Sequence, residues 1–262
     1  MRTLSSTITI ADKKISLAAP KGHLAVKRLS SFAPGQSNPI LQNINFVLQP
    51  GQTLGVIGSS GSGKSTLLNS LLGVWPETEG EVRLDGAEFD QWNREDLSGY
   101  LGYVPQDFPL FSGTIAQNIS RFAMDATSED IIEAAQMADV HQMVIQLPLG
   151  YNTMVGFRGN RLSAGQRQKI SLARAFFRKP RLIVLDEPNS NLDSGGEQAL
   201  SNSLQLLRKM GSTIVIASHR AFALKNVDKI LVLHNGLQVK FDDRDKFFNT
   251  QNEHQLVAAN GG

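Results

Sequence analysis

The chain contains no cysteine, which excludes disulfides, thiolate metal sites and cysteine nucleophiles and agrees with a reducing compartment. It also lacks any apolar run near the roughly 20 residues that span a bilayer. Its apolar stretches, such as LIVL at 182–185 and TIVIAS at 213–218, stop far short of that. Charge of one sign is not concentrated anywhere. The 26 basic residues are nearly matched by 24 acidic ones and are scattered, so no nucleic-acid partner is expected. Lys13 and Lys14 are followed by neither an apolar block nor a small-residue cleavage site. A signal peptide is therefore not expected, and the chain is expected in the cytosol. What remains is a composition suited to folding, with 41% apolar residues in 262, enough for one large domain or a core with an inserted lobe.

Residues 1–21 are polar and aperiodic and read as a linker or N-terminal extension. Strands are expected at HLAVKRL, ILQNINFVL and QTLGVIG, broken by turn residues at 33–39 and 49–51. From Gly63 to Val74 the spacing of Leu67, Leu68, Leu71 and Leu72 is helical. GEVRLDG and GYLGYVPQ read as further strands. Residues 114–147 carry mostly helical spacing, with Thr127 and Asp130 at a helix start. RLIVLDEP, STIVIASH and the hairpin KILVLHNGLQVKF then alternate with a helix at SGGEQALSNSLQLLRKMG. Short apolar strands alternating with helices predict an α/β fold whose largely parallel sheet is covered on both faces.

Residues 58–66, GSSGSGKST, satisfy G-x-x-x-x-G-K-[ST] and stand between an apolar strand and a helix, the context a P-loop needs. Gly58, Ser59, Ser60, Gly61, Ser62, Gly63, Lys64, Ser65 and Thr66 are therefore candidate phosphate ligands. Backbone N–H groups from Ser60 to Thr66 cradle the phosphates in this reading. Lys64 reaches the β and γ phosphates, and the Ser65 hydroxyl ligates Mg²⁺. In LIVLDE an apolar strand delivers Asp186 and Glu187 at its C-terminal end, where open α/β sheets bind ligands. Asp186 is the Mg²⁺ candidate and Glu187 the general base. Gln106 and His219 follow other strands and are candidates for Mg²⁺ or the attacking water and for the γ-phosphate. A second anion-binding start opens at RLSAGQRQK, with Ser163 as N-cap followed by the small residues Ala164 and Gly165.

The order of P-loop, Gln106, LSAGQ, DE and His219 resembles the nucleotide-binding domain of the ATP-binding cassette (ABC) family over about residues 22–241. This resemblance implies a P-loop NTPase core with a mainly parallel sheet, an N-terminal antiparallel β subdomain and an inserted α-helical subdomain at about 107–165. The domain then occupies 22–245, with a C-terminal tail at 246–262. It further implies an ATP- and Mg²⁺-dependent ATPase. Ser163, Ala164, Gly165 and Gln166 become the signature motif and SNLD, with Asp193, the D-loop. The implied partners are a second copy, in a head-to-tail dimer sandwiching ATP, and membrane-spanning domains. LFSGTIAQNI and LPLGYNTMVG resemble exporters, and DEPNSNLD resembles the type I secretion ATPases. That branch implies a membrane fusion protein and an outer-membrane channel as partners, and a place on the cytoplasmic face of the inner membrane. The alternatives are a soluble ABC ATPase acting on DNA or ribosomes and a regulatory module without turnover. Three positions depart from the family pattern: Ala33, beside Phe32, where an aromatic usually stacks on adenine, Phe157 in place of a glutamate, and Ala164 in place of the first signature glycine.

Overall fold

A computed structural model describes residues 17–107, 109–218 and 226–249. The chain enters through β1 (Leu24–Phe32) and β2 (Pro39–Leu48), which pair antiparallel. In β2 the buried residues run Leu41, Ile44, Phe46, Leu48, so the alternation slips by one after Leu41. A register shift in the β1–β2 ladder and a left-handed φ of 53° at Asn43 absorb the extra residue and keep the apolar side inward. β3 (Thr53–Ile57) leads into α1 (Lys64–Leu71), after which β4 (Thr78–Leu84) and the short β5 (Ala87–Glu88) extend the antiparallel part on the β1 side.

A helix not expected from the sequence, α2 (Arg94–Tyr100), starts on an Asn93 side-chain cap, takes up Gly99 and Tyr100 from the expected strand GYLGYVPQ and leads directly into β6 (Leu101–Val104). Three short helices follow, α3 (Ile115–Ile119), α4 (Ser128–Met137) and α5 (His141–Ile145), within the block of helical spacing. Thr127 caps α4 by accepting the Asp130 N–H at 3.1 Å. The chain returns through α6 (Ala164–Phe176), β7 (Leu182–Asp186), α7 (Ser194–Lys209), β8 (Thr213–Ala217), β9 (Lys229–His234) and β10 (Leu237–Asp243). Beyond β10, Phe247 packs on Val227 and Ile230.

One ten-stranded sheet results, ordered β5-β4-β1-β2-β10-β9-β3-β8-β7-β6, with β9, β3, β8, β7 and β6 mutually parallel. The parallel strands are buried on both faces, which explains their unbroken apolar sequences. Leu182 and Val184 of β7 and Val215 and Ala217 of β8 pack with α1 and the antiparallel strands. Ile183, Leu185, Ile214 and Ile216 point the other way, into the core shared by α3, α4, α6 and α7. Each such side chain contributes about 1.5–3 kcal/mol on burial.

Arg121 ties the helical block to the sheet. Its guanidinium donates to the carbonyls of Ser98, Leu101, Arg174 and Ala175 at 2.7–3.2 Å. Burial, reinforced by the nearby charge of Arg174, lowers its pKa to about 10. No helix among the described residues is long and apolar enough to cross a membrane.

Candidate functional site

The site lies at the C-terminal ends of the parallel strands. β3 ends at Ile57, and the chain turns through 58–63 into α1. Gly63 caps that helix at φ 98°, a conformation L side chains avoid, and a Cβ there would sit 2.6 Å from Leu41 Cδ2. The helix therefore begins at Lys64, one residue inside the expected start, and reaches Leu71. α2, α3, α4, α6 and α7 all start on a side-chain oxygen. α1 starts on glycine, with no side-chain cap, and its first-turn N–H groups suit an anion from outside the helix. The loop is anchored to the β9–β10 turn by Gly236 N–H, which donates to the Ser62 carbonyl at 3.1 Å.

Lys64 is 7% exposed, and its Nζ donates to the carbonyls of Gly58 and Ser59 at 2.8 and 2.9 Å. Burial lowers its pKa, while the charges of Glu187 and Asp186 act to raise it. The ammonium is thus held over the loop, opposite two carboxylates, with its charge incompletely compensated by solvent. Asp186, 3% exposed, ends β7. Its neighbour Glu187 adopts φ 49°, fixed in part by its N–H donating to the Ala217 carbonyl at 2.9 Å. The Ser218 hydroxyl lies 3.3 Å from Glu187 Oε2 and 3.4 Å from Asn189 Oδ1, so its proton is shared between a carboxylate and a buried amide. On the next strand, Tyr103 donates to Asn69 Oδ1 at 2.8 Å. Burial and, second, the charge of Asp186 push the Tyr103 phenol up to about 12.

An open pocket of about 200 Å³ gathers these elements, lined by Ile40, Ser60, Gly61, Gly63, Lys64, Ser65, Thr66, Gln106, Asp186 and Glu187. Gln106 comes from the segment after β6, so four separate parts of the chain meet here. The Ser65 hydroxyl, the Gln106 amide oxygen and the Asp186 carboxylate are hard oxygen donors of the kind Mg²⁺ takes. Among the described residues, no group of three or more His, Asp or Glu gathers.

The other expected residues lie elsewhere. Ser163, Ala164, Gly165, Gln166 and Asp193 do not line this pocket; Ala164 instead borders a separate open groove with Asp107, Phe157 and Asn191. Ser163 and Gln166 form a reciprocal capping box at 3.2 and 2.9 Å. Gly165 lies so close to the 190s loop that a Cβ would meet the Asn191 carbonyl at 3.1 Å. Asp193 caps α7 by accepting the Gly196 N–H at 2.7 Å. Phe32 ends β1, its carbonyl accepting the Trp75 indole N–H at 2.7 Å. His219 lies outside the described residues. Sequence reasoning missed Ile40 and Ser218; nothing marked Ile40, whereas Ser218 stood beside an expected site residue at a strand end.

A glycine loop between a parallel strand and a helix start, its lysine opposite two carboxylates from a nearby strand, defines a P-loop nucleotide-binding protein. Residues 41–190 match the family described as ABC transporter, and the chain belongs to that family. It is 46% identical over 246 residues to the "Type I secretion system ATP-binding protein PrsD" of Rhizobium meliloti (strain 1021), covering 94% of this chain and 42% of that protein. It is 42% identical over 218 residues to "Heavy metal tolerance factor 1" of Caenorhabditis elegans, covering 83% and 27%. Among solved structures it resembles a bacterial Atm1-family ABC exporter with ATP bound, at a TM-score of 0.83 and 28% identity over 91% of this chain and 42% of that one. The chain spans less than half the length of each of these relatives.

Proposed function

We propose that this chain is the ATP-hydrolysing domain of an exporter, with residues 22–245 forming the nucleotide-binding unit. The observation that carries this is the meeting of the uncapped α1 start, Lys64, Ser65, Gln106, Asp186 and Glu187 in one pocket. Lys64 and the loop N–H groups hold the β and γ phosphates, and Ser65, Asp186 and Gln106 hold Mg²⁺, which neutralises charge on the phosphate oxygens. Glu187 takes the proton of the attacking water, and the Ser218 hydroxyl steadies its carboxylate. His219 completes the γ-phosphate contacts in this reading.

The start of α6 serves a different nucleotide. It lies outside the P-loop pocket, and among the described residues no acceptor takes the N–H groups of Ala164 and Gly165. In a head-to-tail dimer these donors, with Ser163, Gln166 and Asp193, close over ATP held by the partner copy's P-loop, and two-fold symmetry makes the two sites equivalent. Binding ATP across the interface then stabilises the dimer, and hydrolysis releases it, moving attached membrane-spanning domains. The likeness to a type I secretion protein supports polypeptide export as the task, with a membrane fusion protein and an outer-membrane channel as further partners. The site of action is the cytoplasmic face of the inner membrane.

Glu187→Gln tests the chemistry: the amide keeps the shape but is a poor proton acceptor, so turnover falls about 10²–10⁴-fold while ATP binding persists. Turnover within a factor of two of the unaltered chain would overturn the assignment. In the Glu187→Gln background, ATP should drive dimerisation, and adding Ser163→Arg should abolish it. Dimerisation unaffected by Ser163→Arg would refute the shared site.

A further inference from the structure

We infer that Gln168 is a positioning residue for Glu187, gripping the catalytic segment from the helix that begins at Ser163. The inference rests on the reading of Glu187 as the general base. Gln168 sits five residues into α6 and is fully buried, 0% exposed. Its Nε2 donates to the Pro188 carbonyl at 2.6 Å, with the Glu187 carbonyl and the Ser190 hydroxyl also within 3.4 Å. Its Oε1 accepts the Asn191 N–H at 2.8 Å. Every recorded partner of this amide thus belongs to the five residues that start with Glu187. The reverse orientation of the amide would set Oε1 against three oxygens and Nε2 against an N–H, so the network itself fixes which end donates.

The segment has reason to need such a grip. Glu187 holds φ 49°, a left-handed conformation that costs a residue with a Cβ free energy and persists only where the surroundings fix it. On its N-terminal side the Ala217 carbonyl fixes the backbone by taking the Glu187 N–H. On its C-terminal side Gln168 does so, at the carbonyls of Glu187 and Pro188. An independent contact brings α6 to the same place, since the Asn191 carbonyl lies 3.1 Å from where a Gly165 Cβ would be. The start of α6 and the chain carrying Glu187 are therefore tied together by hydrogen bonds and close packing. In the dimer, a shift of α6 on closing over one nucleotide reaches the base that acts on the other.

Two substitutions separate positioning from folding. Gln168→Met keeps the length and removes both bonding ends; Gln168→Glu keeps the acceptor for Asn191 but sets a carboxylate against the Pro188 carbonyl. In the full chain both should lower the single-turnover rate about 10- to 100-fold, the cost of misplacing a catalytic group by about 1 Å, with ATP affinity within about twofold. In the Glu187→Gln background the same changes should cost no further rate, because the group they position is already disabled. A Gln168→Met rate within twofold of the unaltered chain, or an equal loss in both backgrounds, would overturn the inference. Should Gln168→Met fail to fold, Gln168→Glu and the hydrogen exchange of the unaltered chain decide: the Asn191 amide must be protected, and exchange at open-loop rates refutes the grip. If Glu187→Gln itself keeps full turnover, the base assignment and this inference fall together. If it is inactive while Gln168→Met is active, only this inference falls.

Discussion

Replacing Lys64 by methionine separates two roles that one ammonium combines. In the unliganded protein the charge is costly, since burial lowers its pKa. It is also useful, since it donates to the carbonyls of Gly58 and Ser59. Methionine removes the desolvation penalty together with both hydrogen bonds, and the carbonyls at the mouth of an open pocket can turn to water. The two effects oppose each other, so the stability of the unliganded chain should change by no more than about 1 kcal/mol. Nucleotide binding has no such offset. A charge-assisted contact to phosphate is worth about 1.5–3 kcal/mol, which weakens affinity about 12- to 160-fold. At an ATP concentration 100 times the original Kd, ligand stabilises the unaltered chain by about 2.7 kcal/mol. For Lys64→Met the same concentration leaves about 0.3–1.3 kcal/mol. Urea unfolding with and without Mg·ATP, in a Glu187→Gln background to prevent turnover, measures both quantities. Equal ATP-dependent stabilisation in the two proteins would refute the placement of phosphate at Lys64. A large destabilisation without ATP would show that the lysine serves chiefly to hold the loop.

Two further predictions concern groups around the site. Tyr103 has its pKa raised from 10.0 to about 12, so the folded state keeps its proton through a range where the unfolded chain loses it. Its contribution is fully present below about pH 10 and is lost as pH rises through about 12; relative to Tyr103→Phe, unfolding measurements should show a loss of about 1–2 kcal/mol after allowing for partial solvent screening. A constant difference between the two proteins across that range would contradict the burial of the phenol. Arg121→Met strips donors from the carbonyls of Ser98, Leu101, Arg174 and Ala175 and should cost about 2–4 kcal/mol in urea unfolding. A change below about 0.5 kcal/mol would show that water replaces the guanidinium without penalty.

The local chemistry was legible in the sequence because it depends on short spacings. The P-loop needs glycine where the backbone turns left-handed and approaches a neighbour, and Gly63 meets both conditions. The strands LIVL and TIVIA advertised burial on both faces, and Ser163 could be read as an N-cap from its place before a helical pattern. Even so, α2 is hard to read from sequence: its residues REDLSGY carry too little apolar periodicity, and the local signals are only Asn93 as a cap and the acidic Glu95 and Asp96 in the first turn.

Tertiary structure decided what no spacing contains, namely which of these pieces face one another. Parallel pairing of β7 with β8 places Asp186 opposite Ala217, and from there Ser218 reaches the Glu187 carboxylate. The crossover that sets β3 between β9 and β8 brings Lys64 to those acids across more than a hundred residues of chain. Ser163 and Asp193, expected to close over the nucleotide of a second copy, lie outside the pocket that holds Lys64, a separation that sequence order does not contain. Gln168 shows the limit most plainly, since in sequence it is a glutamine on a helix rich in polar residues. Only packing against residues 187–191, which removes it from water and leaves those backbone groups as its partners, gives it a task. Sequence determines the chemistry each residue carries, because that is a property of its own atoms and near neighbours. Which groups share a dry, fixed space is a property of long-range pairing, and only the folded chain sets it.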